Sequence, residues 1–172
     1  MDHPLTIDTE ENGVYLKQLV PEDIVPYFDV IDSNREYLSR FSGKVVDRYP
    51  TLSSLEESFN ETTDSTPDQV VRFGIWNKDM IVGSMELRPK QNEAEIGYWL
   101  GHNHTGNGYA TVALRSLCDY AKQRFSVLNA TVDEKNERSA RVLERVGFQE
   151  RSRVLGYLIF KMEGIQPVDS KA

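Results

Sequence analysis

The clearest repeating pattern of apolar positions in the chain follows residue 109. Apolar side chains recur there at intervals of three and four residues, which is the spacing of one face of an amphipathic helix. They are Ala110, Ala113, Leu114, Leu117, Cys118, Ala121 and Phe125. The pattern predicts a helix that buries this face, and it favours a buried structural thiol over a nucleophile for Cys118.

Further helical patterns lie in the N-terminal part of the chain. One face is formed by Ile24, Tyr27, Phe28 and Ile31. Pro26 would lie in the first turn of this helix, where proline is tolerated. Residues 33–47 are also expected to be helical. A short helix is predicted over 51–61, with Thr51 as its N-cap.

Shorter apolar or alternating runs predict the strands of a sheet. The first covers 14–20, and three more follow at 69–76, 80–89 and 94–100. The polar turns between the last three are short, which indicates an antiparallel meander.

Two residues of this meander interrupt the strand pattern. Pro89 is expected to end its strand. Gly97 lies inside the strand over 94–100, and glycine in a strand often marks a bulge or a close approach of the backbone. We therefore expect a bulge at Gly97.

The C-terminal part continues with a strand over 127–133 and a helix over 136–148, with Gly147 as its C-terminal stop. Two final strands follow, and residues 165–172 are expected to form a loose tail. The order of strands and helices predicts an α+β or mixed α/β layer in which helices pack on a sheet. The length predicts a single domain over residues 1–172.

Composition excludes several classes of function. The chain has 172 residues, 39% of them hydrophobic and 27% charged, and its net charge is −7. An acidic chain is a poor match to nucleic acid, which requires a basic face, but it is compatible with a cationic partner such as an amine. No apolar run approaches a membrane span and no secretory signal is visible, so a cytoplasmic location is expected.

The small number of cysteines and histidines limits the covalent and metal chemistry. There is one cysteine, and the three histidines show no ligand spacing. The sequence therefore predicts neither an intrachain disulfide nor a metal site.

The stretch HNHTGNGYAT, residues 102–111, places two glycines directly before the predicted helix. The first N–H groups of a helix have no partner within it, and glycine lets an anion approach the backbone, so such a turn can bind a phosphate. The stretch matches neither the phosphate loop of nucleotide hydrolases nor the dinucleotide fingerprint. From the residues alone, a plain loop and a ligand site both remain open.

The stretch resembles the pyrophosphate loop of the GNAT acetyltransferases, which use acetyl-coenzyme A. That loop reads Gln/Arg-x-x-Gly-x-Gly/Ala; Gly108 and Ala110 match it, and Thr105 departs from it. The resemblance extends to AEIGYWLG before the loop and NERSARVLERVGF after it. These segments are similar especially to the branch of ribosomal-protein N-terminal acetyltransferases. The resemblance implies a GNAT-like fold, with a mostly antiparallel sheet that splays between two parallel strands and with helices on both faces.

The resemblance also implies where acetyl-coenzyme A binds. The pantetheine arm would pair with the strand backbone at Tyr98, Trp99 and Leu100. The pyrophosphate would contact the backbone of Thr105, Gly106, Asn107, Gly108, Tyr109 and Ala110. Asn136 would contact the arm from the other side, although an ordinary helix cap is an alternative role for it.

The implied reaction is acyl transfer to an amine, which must lose a proton before it attacks. Glu95 matches the base position of the family, and Glu86 is the second candidate. Many family members carry a tyrosine seven residues after the asparagine, but this chain has Leu143 there. Ser139 is therefore the expected proton donor or partner of the thiol sulfur, with close helix packing as its alternative role. The N–H of Leu100 could contact the developing oxyanion.

Three functions remain open at this point. The first is acetylation of a protein α-amine, as in the ribosomal-protein branch. The second is acetylation of a polyamine, an aminoglycoside or another small amine. The third is a non-catalytic module that binds acyl-coenzyme A, which the departures at Thr105 and Leu143 keep open. The resemblance is also compatible with a homodimer.

Overall fold

The computed structural model describes residues 3–41, 43–61 and 69–163, and the described part forms one mixed sheet with helices around it. The eight strands of this part are β1 (Thr6–Asp8), β2 (Val14–Gln18), β3 (Val71–Asn77), β4 (Met80–Lys90), β5 (Glu93–Leu100), β6 (Val127–Asp133), β7 (Gln149–Val154) and β8 (Tyr157–Met162). The helices are α1 (Ile24–Ser33), α2 (Arg35–Ser39), α3 (Gly43–Arg48), α4 (Leu52–Glu61), α5 (Tyr109–Ala121) and α6 (Glu137–Val146).

The strands lie in the order β1-β2-β3-β4-β5-β6-β8-β7. Every neighbouring pair in the described sheet is antiparallel except β5 and β6, which are parallel. The predicted mixed α/β layer and the predicted antiparallel meander of β3, β4 and β5 are therefore confirmed.

The strands β5 and β6 separate soon after they meet. Their pairing starts at Glu93 opposite Val127 and ends at Glu95 opposite Asn129. Beyond this point β5 continues to Leu100 and β6 to Asp133 without pairing to each other. This is the splay that the resemblance implied, and it opens the centre of the sheet.

The predicted bulge at Gly97 is wrong. The register between β4 and β5 runs without a shift from Gly83 opposite Leu100 to Lys90 opposite Glu93, and Gly97 lies opposite Glu86 within it. A register shift occurs instead between β3 and β4, at Ile75 and Trp76. The two parallel strands separate because their pairing stops, and not because β5 bulges.

The strand β4 also passes through Pro89, which was expected to end it. Pro89 lies opposite Ala94 of β5. Gly101 donates its backbone N–H to the carbonyl of Val82. Hydrogen-bonded and non-hydrogen-bonded pairs alternate along an antiparallel ladder, so Pro89 and Ala94 form a pair without hydrogen bonds to each other. The other side of Pro89 lies beyond the last pair of β3, Val71 with Leu87. The missing N–H of proline therefore breaks no ladder bond.

Helices cover both faces of the sheet, as predicted. The larger core contains the buried faces of α5 and α6, and the smaller core contains Ile24, Tyr27 and Ile31 of α1 with Leu55 of α4. All seven apolar residues of the pattern after residue 109 are buried, Cys118 among them. The strongest pattern in the sequence thus identified a helix that buries its whole apolar face in the larger core.

Several helix boundaries differ from the prediction or refine it. The helical segment predicted over 33–47 consists of two short helices, α2 and α3, and β1 had no signal in the sequence. Thr51 caps α4 as predicted, because its Oγ1 accepts from the N–H of Ser54 at 3.2 Å. Gly147 ends α6 with φ +113.

The single domain stays a prediction, and the tail over 165–172 lies outside the described residues.

Candidate active site

The glycine stretch forms an open turn at the start of α5. Gly106 and Gly108 have φ +82 and +81, the left-handed region that favours glycine. A Cβ built on either would meet no described atom within 4 Å. Because α5 begins at Tyr109, the first-turn N–H groups have no partner within the helix and lie beside this open space, as the predicted anion site requires.

The turn is fixed to the segment between α1 and α2. Asn34 accepts the backbone N–H of His102 through Oδ1 at 2.8 Å. The ring of Tyr37 stacks on His102, with 4.6 Å between the centroids. Thr105 donates its hydroxyl to the carbonyl of His102 at 2.9 Å. The loop therefore enters α5 in a defined position, which an anion site requires.

A cavity of about 560 Å³ lies beside this turn. All but one of the predicted cofactor residues line it. These are Tyr98, Trp99, Leu100, Thr105, Gly106, Gly108, Tyr109, Ala110, Asn136 and Ser139. The exception is Asn107, whose amide turns back to donate to the carbonyls of His104 and Thr105. We call this space the first cavity.

The backbone of β5 presents only alternate residues to the gap between β5 and β6. Since Gly101 bonds to β4 through its N–H, the same alternation turns the backbone of Trp99 toward β4. The backbone groups of Tyr98 and Leu100 then face the gap. The expectation of backbone pairing is retained for these two residues, whereas Trp99 can contribute its ring but not its backbone.

The start of α6 and the middle of β5 meet across the gap through side chains. Asn136 caps α6 by accepting the N–H of Ser139 at 3.2 Å, so its cap role is confirmed. The Ser139 hydroxyl donates to the Tyr98 hydroxyl at 2.7 Å, and the latter donates to the Ser139 carbonyl at 3.1 Å. Burial raises the pKa of Tyr98 to about 12, although the bond from Ser139 lowers it. The phenol therefore stays protonated at neutral pH.

A second cavity, of about 420 Å³, adjoins the first. The two share Phe41, Tyr98, Trp99, Asn136 and Ser139 in their linings. Both predicted carboxylates, Glu95 and Glu86, line the second cavity. A group in one cavity can therefore meet a group in the other at the Tyr98–Ser139 pair.

The two carboxylates differ in their surroundings. Glu86 is 13% exposed and lies against three guanidinium groups, with Arg48 and Arg72 each 3.3 Å from Oε1 and Arg88 at Oε2. Glu95 is 50% exposed, and Arg88 lies 3.7 Å from its Oε1. Arg48 and Arg88 donate hydrogen bonds to Glu86, and Arg72 adds a third positive charge beside it. The contact of Glu95 with Arg88 is longer and leaves its half-exposed carboxylate open to a ligand in the second cavity.

Two groups of lining residues were not predicted from the sequence. Tyr37, Leu38 and Phe41 bring α2 and the residues after it to the first cavity, and no pattern pointed to them. Arg138, Arg141 and Arg145 line the same cavity from α6. Their spacing of three and four residues is a helical stripe of cations, and this signal could have been read from the sequence.

Two further findings concern metals and membranes. In the part of the chain that the structure describes, no three histidine, cysteine, aspartate or glutamate side chains are grouped so that they could hold a metal ion. The helices over the described ranges are also too short or too polar for any of them to cross a bilayer.

Comparison with known proteins agrees with this geometry. The family model described as the acetyltransferase (GNAT) domain matches residues 14–149. The chain belongs to this family. The match spans the meander, the glycine turn and α6, so it confirms the predicted GNAT fold and the predicted enzyme class, an acetyltransferase.

Similar proteins give the same result. The probable N-acetyltransferase YjcK of Bacillus subtilis is 30% identical over 146 residues, which cover 80% of this chain and 81% of YjcK. The ribosomal-protein-serine acetyltransferase of Escherichia coli is 27% identical over 83% of this chain and 82% of its own length.

A solved structure shares the fold at low identity. The ribosomal L7/L12 α-N-protein acetyltransferase RimL, in complex with coenzyme A, superposes with a TM-score of 0.79. The match covers 92% of this chain and 98% of RimL at 13% identity. The relatives of this GNAT protein thus include the ribosomal-protein acetyltransferases, as the sequence motifs predicted.

Proposed function

We propose that the protein transfers an acetyl group from acetyl-coenzyme A to the N-terminal α-amine of a protein. The observation that carries this proposal is the junction of two cavities at Tyr98 and Ser139, with an open turn before a helix at one end and the half-exposed carboxylate of Glu95 at the other. Such an arrangement brings a phosphate-bearing donor and an amine acceptor to a common point.

The residues of the first cavity fit acetyl-coenzyme A. The turn over 105–110 offers an open approach to the amides of α5, which suits a diphosphate. The backbone groups of Tyr98 and Leu100 that face the gap suit the amides of the pantetheine arm. When bound, acetyl-coenzyme A supplies the activated thioester, and coenzyme A is also the ligand of the RimL structure.

Glu95 is the proposed base. An α-amine has a pKa of about 8 and a lysine amine about 10.4, so a neutral nucleophile is easier to reach with an α-amine. The carboxylate of Glu95 attracts the ammonium form and accepts its proton, directly or through a water molecule. Glu86 instead holds Arg48, Arg72 and Arg88 in place, which makes it a structural residue in this proposal.

Ser139 and Tyr98 are the proposed partners of the leaving sulfur. The Ser139 hydroxyl has one proton, which it can turn from Tyr98 toward the sulfur. The Tyr98 phenol can then donate to the Ser139 oxygen, because its raised pKa keeps it protonated. This pair replaces the tyrosine donor that Leu143 cannot provide.

The charges of the second cavity favour a peptide over a polyamine. Among its described lining residues, four basic side chains (Arg40, Lys44, Arg48 and Arg88) balance four acidic ones (Asp47, Glu86, Glu95 and Asp133). A polyamine carries several positive charges and would gain most from an acidic cavity. A peptide N-terminus brings one ammonium followed by neutral backbone. The part of β6 that has stopped pairing with β5 lines the cavity and offers backbone groups on that edge to the peptide.

The experiment is an acceptor panel with labelled acetyl-coenzyme A. It compares peptides with a free α-amine, the same peptides with a blocked α-amine and an internal lysine, spermidine, and an aminoglycoside. We expect label only in the free-amine peptides, located at the N-terminus by mass spectrometry. Faster labelling of spermidine or the aminoglycoside would replace this proposal with a small-amine acetyltransferase.

A binding measurement separates these outcomes from loss of catalysis. Acetyl-coenzyme A should raise the melting temperature of the protein. A thermal shift without turnover of any acceptor would support a non-catalytic acyl-coenzyme A module. Absence of the shift would contradict all three functions. The proposal retains the cytoplasmic location expected from the sequence.

A further inference from the structure

The helix α6 directs a stripe of cations at the first cavity. Arg138, Arg141 and Arg145 all line it. Among the described lining residues Glu137 is the one carboxylate, and it pairs with Arg141 at 2.9 Å. Two arginines therefore remain without a carboxylate partner in this lining, although the whole chain has a net charge of −7. This local positive surplus points to an anionic ligand.

Arg145 lies beside the anion site at the start of α5. Its Nη1 is 3.4 Å from the Oγ1 of Thr111, which belongs to the first turn of α5. A guanidinium in this position faces the same space as the unpaired first-turn amides. The last turn of α6 and the first turn of α5 thus form two walls of one site.

The cavity also has a direction along α6. Ser139 lies in the first turn of α6 and Arg145 in its last turn. A rise of 1.5 Å per residue separates them by about 9 Å along the helix axis. The reacting end of a ligand would lie near Ser139, and its phosphates would lie toward Arg145.

We propose that Arg145 forms a second phosphate-recognition wall of the first cavity. Arg145 binds the diphosphate of acetyl-coenzyme A together with the amides of α5, and its planar fork suits two phosphate oxygens. This inference rests on the proposed donor, acetyl-coenzyme A, and it adds a cation in place of the one missing at Thr105.

The test compares three acyl donors that differ only in their phosphates. They are acetyl-coenzyme A, its dephospho form without the ribose phosphate, and S-acetylpantetheine, which has none. Arg145→Ala should raise KM about 10- to 100-fold for the first two donors and leave the third unchanged.

Two controls separate phosphate recognition from a general change of charge or fold. Arg115→Ala removes the same charge from α5 at a residue that lines neither cavity and pairs with Glu10, and it should leave all three KM values unchanged. Arg145→Lys keeps the charge and loses the fork, so it should recover part of the affinity. Titration calorimetry with coenzyme A should give the same order of affinities without turnover.

The outcomes distinguish this inference from the proposed function. Wild-type protein that binds no coenzyme A would contradict the proposed donor itself. Wild-type binding with an unchanged affinity in Arg145→Ala would overturn the inference alone. A similar loss with S-acetylpantetheine would also overturn it, because that donor has no phosphate to lose.

Discussion

The hydroxyl of Ser139 lies 2.7 Å from the hydroxyl of Tyr98, although 41 positions separate the two residues in the chain. The contact joins the first turn of α6 to the part of β5 that no longer pairs with β6, at the junction of the two cavities. Because Tyr98 also donates to the carbonyl of Ser139, each residue fixes the other. The sulfur of a bound thioester would meet two hydroxyl groups that are already in position.

The Tyr98–Ser139 pair should act as a unit in catalysis. Tyr98→Phe and Ser139→Ala should each lower kcat about tenfold or more, because each removes a donor near the leaving sulfur, with little change in KM for acetyl-coenzyme A. The double variant should lose no more than the stronger single variant. Steady-state kinetics of the wild type, the two single variants and the double variant measures this double-mutant cycle. Fully additive losses would mean that the residues act separately.

Glu95 and Glu86 should respond differently to the same substitution. Glu95→Gln should lower kcat about 100-fold, because it removes the base, while the melting temperature stays unchanged. Glu86→Gln should lower the free energy of unfolding by about 1–3 kcal/mol, because it leaves three guanidinium groups without their carboxylate. Each is the control for the other. Full activity in Glu95→Gln would assign the base to another residue.

Gly108→Ala should weaken binding of acetyl-coenzyme A. A left-handed backbone costs about 1–2 kcal/mol for a residue with a Cβ, so the turn would either relax or carry a methyl group toward the donor. Gly13→Ala is the matched control, because Gly13 has φ +83 and lies away from both cavities. Both variants should lose similar stability in urea unfolding. We expect the Kd for coenzyme A to increase in Gly108→Ala and to stay unchanged in Gly13→Ala. Equal Kd values in the two variants would contradict a role of the turn in binding the donor.

Cys118 should make the protein sensitive to alkali. Burial raises its pKa from 9.0 to about 12 in the folded chain. Its contribution to stability is complete below the unfolded pKa, near 9, and is lost as the pH rises toward 12, because the unfolded chain gives up the thiol proton first. Between about pH 8 and 10.5 the free energy of unfolding should fall by about 2 kcal/mol through this thiol.

The variant Cys118→Ala isolates that contribution. Its free energy of unfolding should fall by about 2 kcal/mol less than that of the wild type over the same pH interval. Tyrosines whose pKa is raised by burial, such as Tyr27, also destabilise the folded chain in alkali, but they are common to both proteins and cancel in the comparison. Urea titrations at the two pH values measure the difference. Parallel losses in both proteins would mean that the thiol ionises freely in the folded state.

The parts of the site that are contiguous in the chain were predictable. The turn over 105–110, its place before a helix and the cap at Asn136 follow from local rules for glycine, helix starts and asparagine. The arginine stripe of α6 is also local, because helical spacing alone brings Arg138 and Arg145 to one face. It was missed since cations on a helix usually face solvent.

Other features depended on pairing between distant segments. Gly97 suggested a bulge, but the register of β4 with β5 is continuous, and the gap arises where β5 stops pairing with β6. The two carboxylates Glu86 and Glu95 look alike in the sequence. They differ in the folded chain because Arg48 and Arg72, from other elements, lie against Glu86 and not against Glu95.

The sequence by itself determined the buried face of α5, the meander, the glycine turn and the family, because each depends on residue type at short spacing. The tertiary structure alone decided which backbone groups face the gap, which glutamate stays open to a ligand and which hydroxyl meets Ser139. These depend on register and on contacts between residues far apart in the chain. No local preference specifies such contacts, because they form only when the sheet and its helices pack together.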